Sequence, residues 1–409
     1  MTMRNTCHPF PNSCASSMIC IASVFAILAA TPVQGADWQI QPMIRAAWNV
    51  DDNATLNIRT DQEEEISGYI LEARARFEYS APTTEFFVTP LLRIRDYGDP
   101  RFDTNDEFAF LQFDKETQKS NLRIRARYEN EAVRTAERAD ADLEIDDPDD
   151  IPDEETGRVF FLGDRQRMEV VPSWRYRLTD FSSLSLRLSY RDVQYDGDVA
   201  GFLNDYSNGR VNVTYERAWS PRYSAVVDGT YRRYIPDGRE ESDGYGLRAG
   251  FVAHVSENTR IRALAGLESV GQVSGERNSD WVADLSLVQR LQTITLVAQY
   301  RRIISGGGAG TLSSRDEINL NFTRQLDERI SAGLGVRAYA TNRLEGDPEN
   351  FDERDYLQLH AQFIWNLTRT WFVQVDYRYT FLNRKIIGES ANSNDVTLWL
   401  SYRPTAFIR

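Results

Sequence analysis

The feature that most constrains this chain is an alternation of apolar and polar residues with a period of two, which begins near Trp38 and continues towards the C-terminus. Residues 69–79 show it clearly, because every odd position is apolar or aromatic and four of the five even positions are charged. Successive side chains of a β-strand point to opposite faces of a sheet, so this period predicts strands with one apolar face. We therefore expect an all-β structure from Trp38 onward.

The pattern divides into eighteen predicted strands, each near or somewhat above the ~9–11 residues with which a tilted strand crosses the hydrocarbon core of a bilayer. The predicted strands are residues 38–49, 65–79, 85–96, 106–114, 121–133, 164–177, 183–195, 207–218, 223–235, 244–256, 259–270, 279–289, 293–304, 314–325, 329–341, 354–367, 371–383 and 394–404. An even number of antiparallel strands would leave both ends of the chain on the same side.

The predicted connections alternate strictly between short turns and long loops. The short ones lie at residues 81–84, 179–182, 220–222, 257–258, 327–328 and 368–370. The long ones lie near residues 50–64, 97–105, 134–163, 236–243, 271–278, 305–313, 342–353 and 384–393. Short periplasmic turns opposite long external loops are the arrangement of outer-membrane β-barrels. A soluble β-sandwich or β-helix is the alternative, and the loops of a sandwich would not alternate in length.

Aromatic residues bracket the apolar face of several predicted strands, as Tyr69 and Tyr79 do in one strand and Trp371 and Phe381 do in another. Such positions match the two aromatic girdles at the membrane interfaces of a barrel. The fold class predicted for residues 37–409 is therefore a single transmembrane antiparallel up-and-down β-barrel of about eighteen strands. Its long loops are expected outside the cell and its short turns in the periplasm.

The first 36 residues are predicted to be a secretory signal peptide. An apolar run at residues 18–30 follows Arg4 and precedes Pro32 and a stretch of small residues, which is the layout of a cleaved leader. A buried core helix is the alternative. All three cysteines lie inside this segment, so residues 37–409 contain none. A disulfide, a cysteine metal site and a cysteine nucleophile are thereby excluded from the exported chain, and no metal or other cofactor is expected.

Charged residues are distributed unequally between the two predicted faces of the strands. The chain has a net charge of −14, and only three of its 47 cationic residues are lysines. If the apolar face contacts lipid, the opposite face lines the lumen and carries more arginines than acids. The predicted lumen-lining residues, a candidate substrate path, are Arg74, Arg76, Arg93, Arg95, Arg123, Arg125, Arg127, Arg167, Arg175, Arg187, Arg191, Arg210, Arg232, Arg248, Arg262, Arg301, Arg337 and Arg378.

Two interpretations of these arginines stay open. In the structural one, they pair with carboxylates on neighbouring strands and stiffen the barrel. In the functional one, they form a cationic path for anions, because rings of arginine favour anionic cargo and the guanidinium binds carboxylates through two parallel bonds.

The acidic residues concentrate in the predicted loop 134–163, which is a candidate gating or cation-binding loop. Its candidate residues are Asp140, Asp142, Glu144, Asp146, Asp147, Asp149 and Asp150. The loop could fold inward as a constriction, hold divalent cations near lipopolysaccharide, or stay solvated and disordered. The glycine-rich residues 305–310 are not expected to cradle phosphate, because no helix follows them.

Catalysis has little support in the sequence. After the leader only His254 and His360 remain, and no Gly-x-Ser-x-Gly motif occurs. His360 lies in the middle of a predicted strand between Gln358 and Gln362, so we expect a polar lumen-lining residue rather than a general base. The chain is not expected to be an enzyme.

The strand Leu-Ser-Leu-Arg-Leu-Ser-Tyr-Arg at residues 184–191 and the run at residues 246–263 resemble the β-barrel porins found beside exopolysaccharide secretion systems. Eighteen strands and an arginine-rich lumen are also similar to the alginate-export barrel. The resemblance implies an outer-membrane conduit that exports an exopolysaccharide, an anionic one if the arginines guide it, together with periplasmic export machinery.

The other expected partners are outer-membrane lipid and lipopolysaccharide, and nucleic acid is not expected. A diffusion porin for small anionic solutes is the first alternative function. A structural or assembly barrel with a blocked lumen is the second.

Overall fold

The computed structural model describes residues 37–59, 62–143, 148, 155–156, 159, 162–197, 203–272, 275, 277–308, 310–344, 353–385 and 388–408. The predicted signal peptide, residues 1–36, lies outside the described residues. So do Glu144, Asp146, Asp147, Asp149 and Asp150 of the acidic loop.

Within the described residues the chain forms eighteen long antiparallel strands of 13 to 17 residues, which confirms the predicted all-β fold. They are β1 (Asp37–Asp51), β2 (Ile66–Ala81), β3 (Thr84–Asp96), β4 (Thr104–Glu116), β5 (Ser120–Ala132), β6 (Gly163–Thr179), β7 (Ser182–Gly197), β8 (Tyr206–Ala218), β9 (Tyr223–Pro236), β10 (Ser242–Ser256), β11 (Thr259–Gln272), β12 (Arg277–Arg290), β13 (Ile294–Gly306), β14 (Leu312–Gln325), β15 (Ile330–Arg343), β16 (Arg354–Asn366), β17 (Trp371–Arg384) and β18 (Glu389–Tyr402). Two short elements were not predicted, the helix α1 (Val133–Ala136) and the strand β19 (Phe407–Ile408).

The sheet closes on itself. Each strand pairs with its neighbours in sequence, and β1 pairs with β18 from Ile44↔Tyr402 to Asp51↔Asp395. The two residues of β19 continue this seam by pairing with Gln39 and Ile40. Closure leaves no unpaired strand edge, which removes the main hazard of so many hairpins. No helix in the described part of the chain is long and apolar enough to cross a membrane.

Four of the predicted long loops are shorter in the structure than predicted. Strands extend into these regions and leave connections of only residues 237–241, 273–276, 307–311 and 385–388. The first residues of β18 show why, because residues 389–395 are small, polar or acidic on both faces and so lack the alternation that marks a strand. Alternation in the sequence marks only the part of a strand that has one apolar face. The backbone hydrogen bonds of the strand continue beyond that part.

The outer surface of the barrel is apolar, and its inner surface is polar. On β18, for example, Leu398 is 47% exposed while the adjacent Thr397 is 2% exposed. Large apolar side chains are exposed along the outward face of nearly every strand, which is the reverse of what water selects in a soluble protein.

Aromatic residues mark both ends of this apolar surface. At the end with the short turns, the ring centroids of Trp38 and Tyr79 lie 4.9 Å apart, and those of Trp371 and Tyr402 lie 4.8 Å apart. Near the long-loop end, β1 carries Trp48, ten residues after Trp38. Ten residues extend ~33 Å along a strand, which at the usual tilt of a barrel strand gives a band ~25 Å tall.

Candidate functional site

The described residues of the connection between β5 and β6 fold into the barrel, and we call this connection, residues 133–162, the lumenal loop. It begins with α1, and its described residues Ala139, Ala141 and Val159 are at most 2% exposed. The loop leaves the wall at β5 but makes its contacts with β14, β15 and β16, which lie on the far side of the closed sheet. It therefore crosses the lumen.

Side chains of the far wall bind the backbone of the lumenal loop. The Ala141 N–H donates to Gln358 Oε1 at 2.5 Å, and Gln358 Nε2 donates to the Asp140 carboxylate at 2.7 Å. Asn321 Nδ2 donates to the Asp142 carbonyl oxygen at 2.7 Å. These wall amides supply the partners that buried backbone groups need inside a lumen, so the described loop has a defined position.

His360 connects the same loop to a further strand. Its Nδ1 lies 2.9 Å from the Ala141 carbonyl oxygen, and its Nε2 lies 3.1 Å from Asp376 Oδ1 on β17. Both partners are acceptors, so a ring nitrogen that carries a hydrogen donates it to the partner that it faces. The ring contributes to positioning the loop, which fits the polar role predicted for it.

Two inward-facing glycines of β15 leave room for the loop. A Cβ atom added at Gly335 would lie 3.1 Å from Ala141 Cβ, and one added at Gly333 would lie 2.7 Å from Leu143 Cδ1. The sequence signal for this contact was present, because β15 places two glycines on its lumenal face where neighbouring strands carry polar side chains.

A buried cluster of charges holds the second half of the lumenal loop. Glu317 on β14 accepts hydrogen bonds from Arg301 at 2.9 Å and from Arg337 at 2.8 Å, and it forms an ion pair with Arg315 at 3.2 Å. Arg337 also pairs with Glu155 of the loop at 3.1 Å, and Arg315 donates to the Glu155 carbonyl oxygen at 2.9 Å. A buried carboxylate is tolerated when it is paired in this way, so the cluster fixes both the wall and the loop.

Glu137, which follows α1, joins the two halves of the loop. Its carboxylate accepts from the Thr156 N–H at 2.9 Å, from Tyr195 Oη at 2.7 Å and from Arg165 at 3.2 Å. Burial alone would raise the pKa of this carboxyl, but the charge of Arg165 and the hydrogen bonds of Thr156 and Tyr195 hold its pKa below the usual value. Arg138, the next residue, pairs with Asp51 of β1 at 3.1 Å.

Strand register places the predicted arginines on the inward face, and most contact a carboxylate. On β2 to β7 the arginines contact these partners: Met43 for Arg74 (3.5 Å), Glu78 for Arg76 (2.9 Å), Glu72 for Arg93 (2.9 Å), Asp106 for Arg95, Asp114 for Arg123 (2.6 Å), Glu129 for Arg127 (3.5 Å), Glu169 for Arg167 (2.8 Å), Glu216 for Arg175 (2.7 Å) and Glu169 for Arg191 (2.7 Å). On β9 to β17 they are Glu268 for Arg232 (2.6 Å), Asp228 for Arg248 (2.5 Å), Asp284 for Arg262 (3.9 Å), Glu317 for Arg301 and Arg337, and Asp395 for Arg378 (3.4 Å). Arg125, Arg187 and Arg210 lie on the same face and also interact with neighbouring groups.

Exposure divides these arginines into two groups. Near the turn end of β5 and β6, the side chains of Arg123 and Arg175 are 46% and 57% exposed. On the far wall, under the lumenal loop, the side chain of Arg337 is 1% exposed. The open part of the lumen thus lies on the turn side of the β5–β6 wall, and the far wall is covered.

Inward aromatic rings were not predicted. The guanidinium of Arg93 lies 5.1 Å from the ring centre of Phe108, and that of Arg127 lies 5.1 Å from the ring centre of Phe110. Cation–π contact orients an arginine without neutralising it. The available signal was that β4 carries aromatic residues on both parities, Phe108 and Phe110 on one and Phe113 on the other.

Comparisons with known proteins find similarity in shape at low identity. No family model matches this chain, and no curated protein matches it, so the expected relation to exopolysaccharide-export barrels stays a prediction. The chain is similar to OpdQ of Pseudomonas aeruginosa, with 10% identity, 90% of this chain and 97% of that chain covered, and a TM-score of 0.45.

Two further solved structures with similar coverage come from Acinetobacter baumannii. One is OccAB4, with 9% identity, 91% of this chain and 99% of that chain covered, and a TM-score of 0.47. The other is the outer membrane channel DcaP, with 13% identity, 91% and 99% coverage, and a TM-score of 0.42. The function proposed below is inferred from contacts within this chain.

Proposed function

We propose that this chain forms a diffusion pore in the outer membrane for small anionic solutes, with the lumenal loop as its constriction. The observation that carries the proposal is that the loop crosses the lumen and is bound to the far wall through Gln358, Asn321 and Arg337. A loop fixed across a barrel of this width turns an open tube into a narrow passage.

The membrane location is supported by the apolar exterior. An apolar band ~25 Å tall between two aromatic girdles matches the hydrocarbon layer that a bacterial barrel spans. In a closed barrel the backbone N–H and C=O groups at both edges of each strand are hydrogen-bonded to a neighbouring strand. A membrane requires this of any structure that spans it.

The preference for anions is supported by the exposed arginines of the turn-side lumen. Arg123, Arg127 and Arg175 each face one carboxylate, at 2.6, 3.5 and 2.7 Å respectively, and keep more than a third of the side chain exposed. A guanidinium has five N–H donors, so one carboxylate partner leaves several free for a solute. We infer that carboxylates or phosphates diffuse along this wall towards the lumenal loop.

Small solutes fit the covered lumen better than a polymer does. Export of an exopolysaccharide, which the sequence resemblance implied, would require the lumenal loop to leave its buried partners Arg337 and Gln358. Breaking a buried ion pair by taking one partner away, while the other stays buried, costs about 3–5 kcal/mol. No contact of the described residues favours the export reading over the diffusion pore.

The test is recording from planar bilayers with the purified full chain. We expect stepwise conductance with a reversal potential that indicates anion selectivity in a salt gradient. The triple variant R123Q/R127Q/R175Q should lose most of this selectivity and keep its conductance steps. A matched control is Arg217→Gln, because Arg217 is an exposed residue on the outer face of β8.

Three results would contradict the proposal. Cation selectivity in the wild-type pore would refute the anion path. Unchanged selectivity in the triple variant would assign those arginines to structure alone. An absence of steps at every voltage would favour the barrel with a blocked lumen.

A further inference from the structure

A groove of about 370 Å³ lies on the lipid-facing surface of the barrel, across β6 to β9. Its walls are apolar side chains, chiefly Val170, Leu188, Val211 and Tyr231. It does not belong to the lumen, because these residues share the outward parity of their strands.

The groove exists because one outward position of β8 is a glycine. Gly209 pairs with Tyr190 on β7 and with Arg233 on β9, so it interrupts a row of large side chains. A Cβ atom added at Gly209 would have no neighbour within 4 Å. Neither a close approach of backbone nor a positive φ therefore explains this glycine, and the open space is its structural consequence.

The guanidinium group of Arg233 lies at the long-loop end of the groove. The side chain of Arg233 is 53% exposed, and its Nε and one terminal nitrogen both donate to Glu241, at 3.2 and 2.5 Å. The other terminal nitrogen has no partner among the described residues, so donors are left for a second anion. The rings of Tyr231 and Tyr245, 5.1 Å apart, place this arginine at the level of the loop-side aromatic girdle.

We propose that the groove is a binding site for lipopolysaccharide, with one acyl chain of its lipid A in the apolar slot and a lipid A phosphate on Arg233. An apolar slot that ends in an arginine at the interface complements a phosphorylated, acylated lipid. The lipid is lipopolysaccharide rather than phospholipid because the arginine lies on the long-loop side, which faces outward in bacterial barrels. This inference rests on the outer-membrane location in the proposed function.

Native mass spectrometry of the detergent-purified full chain with added lipid A tests the site. We expect one retained lipid A per barrel in the wild type. Gly209→Leu fills the groove and should lower retention on the order of tenfold, the effect of losing burial of about two methylene groups. Gly229→Leu is the matched control, because Gly229 also faces outward, has only the Val213 carbonyl oxygen at 4.0 Å from an added Cβ, and lies outside the groove.

Arg233→Gln tests the headgroup contact and leaves the apolar walls of the groove unchanged. It should weaken retention of bisphosphorylated lipid A and leave retention of fully dephosphorylated lipid A unchanged. Equal retention by wild type and the Gly209→Leu variant, with Arg233→Gln also without effect, would overturn the site. Equal retention of phosphatidylglycerol and lipid A by the wild type would also overturn it. Bilayer recordings of the same variants separate this outcome from the pore proposal, because lipid retention does not depend on conductance.

Discussion

Glu317 is a buried carboxylate inside the barrel, beneath the lumenal loop, and it is stabilised by ion pairs. Its side chain is fully buried and is surrounded by the guanidinium groups of Arg301, Arg315 and Arg337. Removing Glu317 would take the shared carboxylate away from these buried guanidinium groups, and breaking a buried ion pair in this way costs about 3–5 kcal/mol. These arginines are therefore better explained by the structural interpretation, whereas Arg123 and Arg175 suit the functional one.

Glu137 gives a residue-scale prediction about pH. Because its pKa is held below the usual value, its contribution to holding the loop is complete at neutral pH and is lost as the pH falls below ~4.3, the ordinary pKa of a glutamate. We expect single-channel conductance to be the same at pH 7 and at pH 5.5, and to become larger and noisier below about pH 4.

Glu137→Gln should show that larger and noisier conductance already at pH 7. Glu63→Gln, at an exposed loop position, should behave like the wild type. A wild-type pore that opens between pH 7 and pH 5.5 would contradict the role given to Glu137.

At the scale of elements, the strands were predictable and the lumenal loop was not. Alternation identifies a strand from its own residues, as in β2 and β18, because each faces lipid on one side and the lumen on the other. The path of the loop depends on pairs such as Ala141 and Gln358, which lie 217 positions apart. Parity predicted that Gln358 and His360 face inward, but it could not indicate which part of the chain they would meet.

The contact between the loop and β15 can be tested by a cross-link. Residues 37–409 contain no cysteine, and the short separation of Ala141 Cβ from an added Cβ at Gly335 is close to the ~3.5–4.5 Å of a disulfide. The double variant A141C/G335C should form a disulfide on oxidation, seen as a reducible mobility shift, with little change in conductance. A failure to cross-link, or a large fall in conductance on oxidation, would mean that the loop occupies another position. Ala141→Cys alone is the control.

At the scale of the whole molecule, barrel and loop are separable. The strand register and closure of the wall involve no residue of the lumenal loop. Replacing residues 139–160 with a short glycine–serine linker should therefore leave a barrel that still shifts in mobility on heating. Its conductance should rise several-fold, and its anion selectivity should increase because Arg301, Arg315 and Arg337 outnumber Glu317 once Glu155 is gone. A variant that does not fold, or that conducts like the wild type, would contradict this separation; deletion of the exposed residues 62–63 is the control.

The seam between β1 and β18 has a consequence for assembly order. Its hydrogen-bonded residues, such as Asn49 and Asp395, are 346 positions apart, so this pairing forms only after nearly the whole chain is in place. The loop's partners on β14 to β16 also come late in the chain, so we expect the lumenal loop to bind its wall partners at about the time that the seam closes.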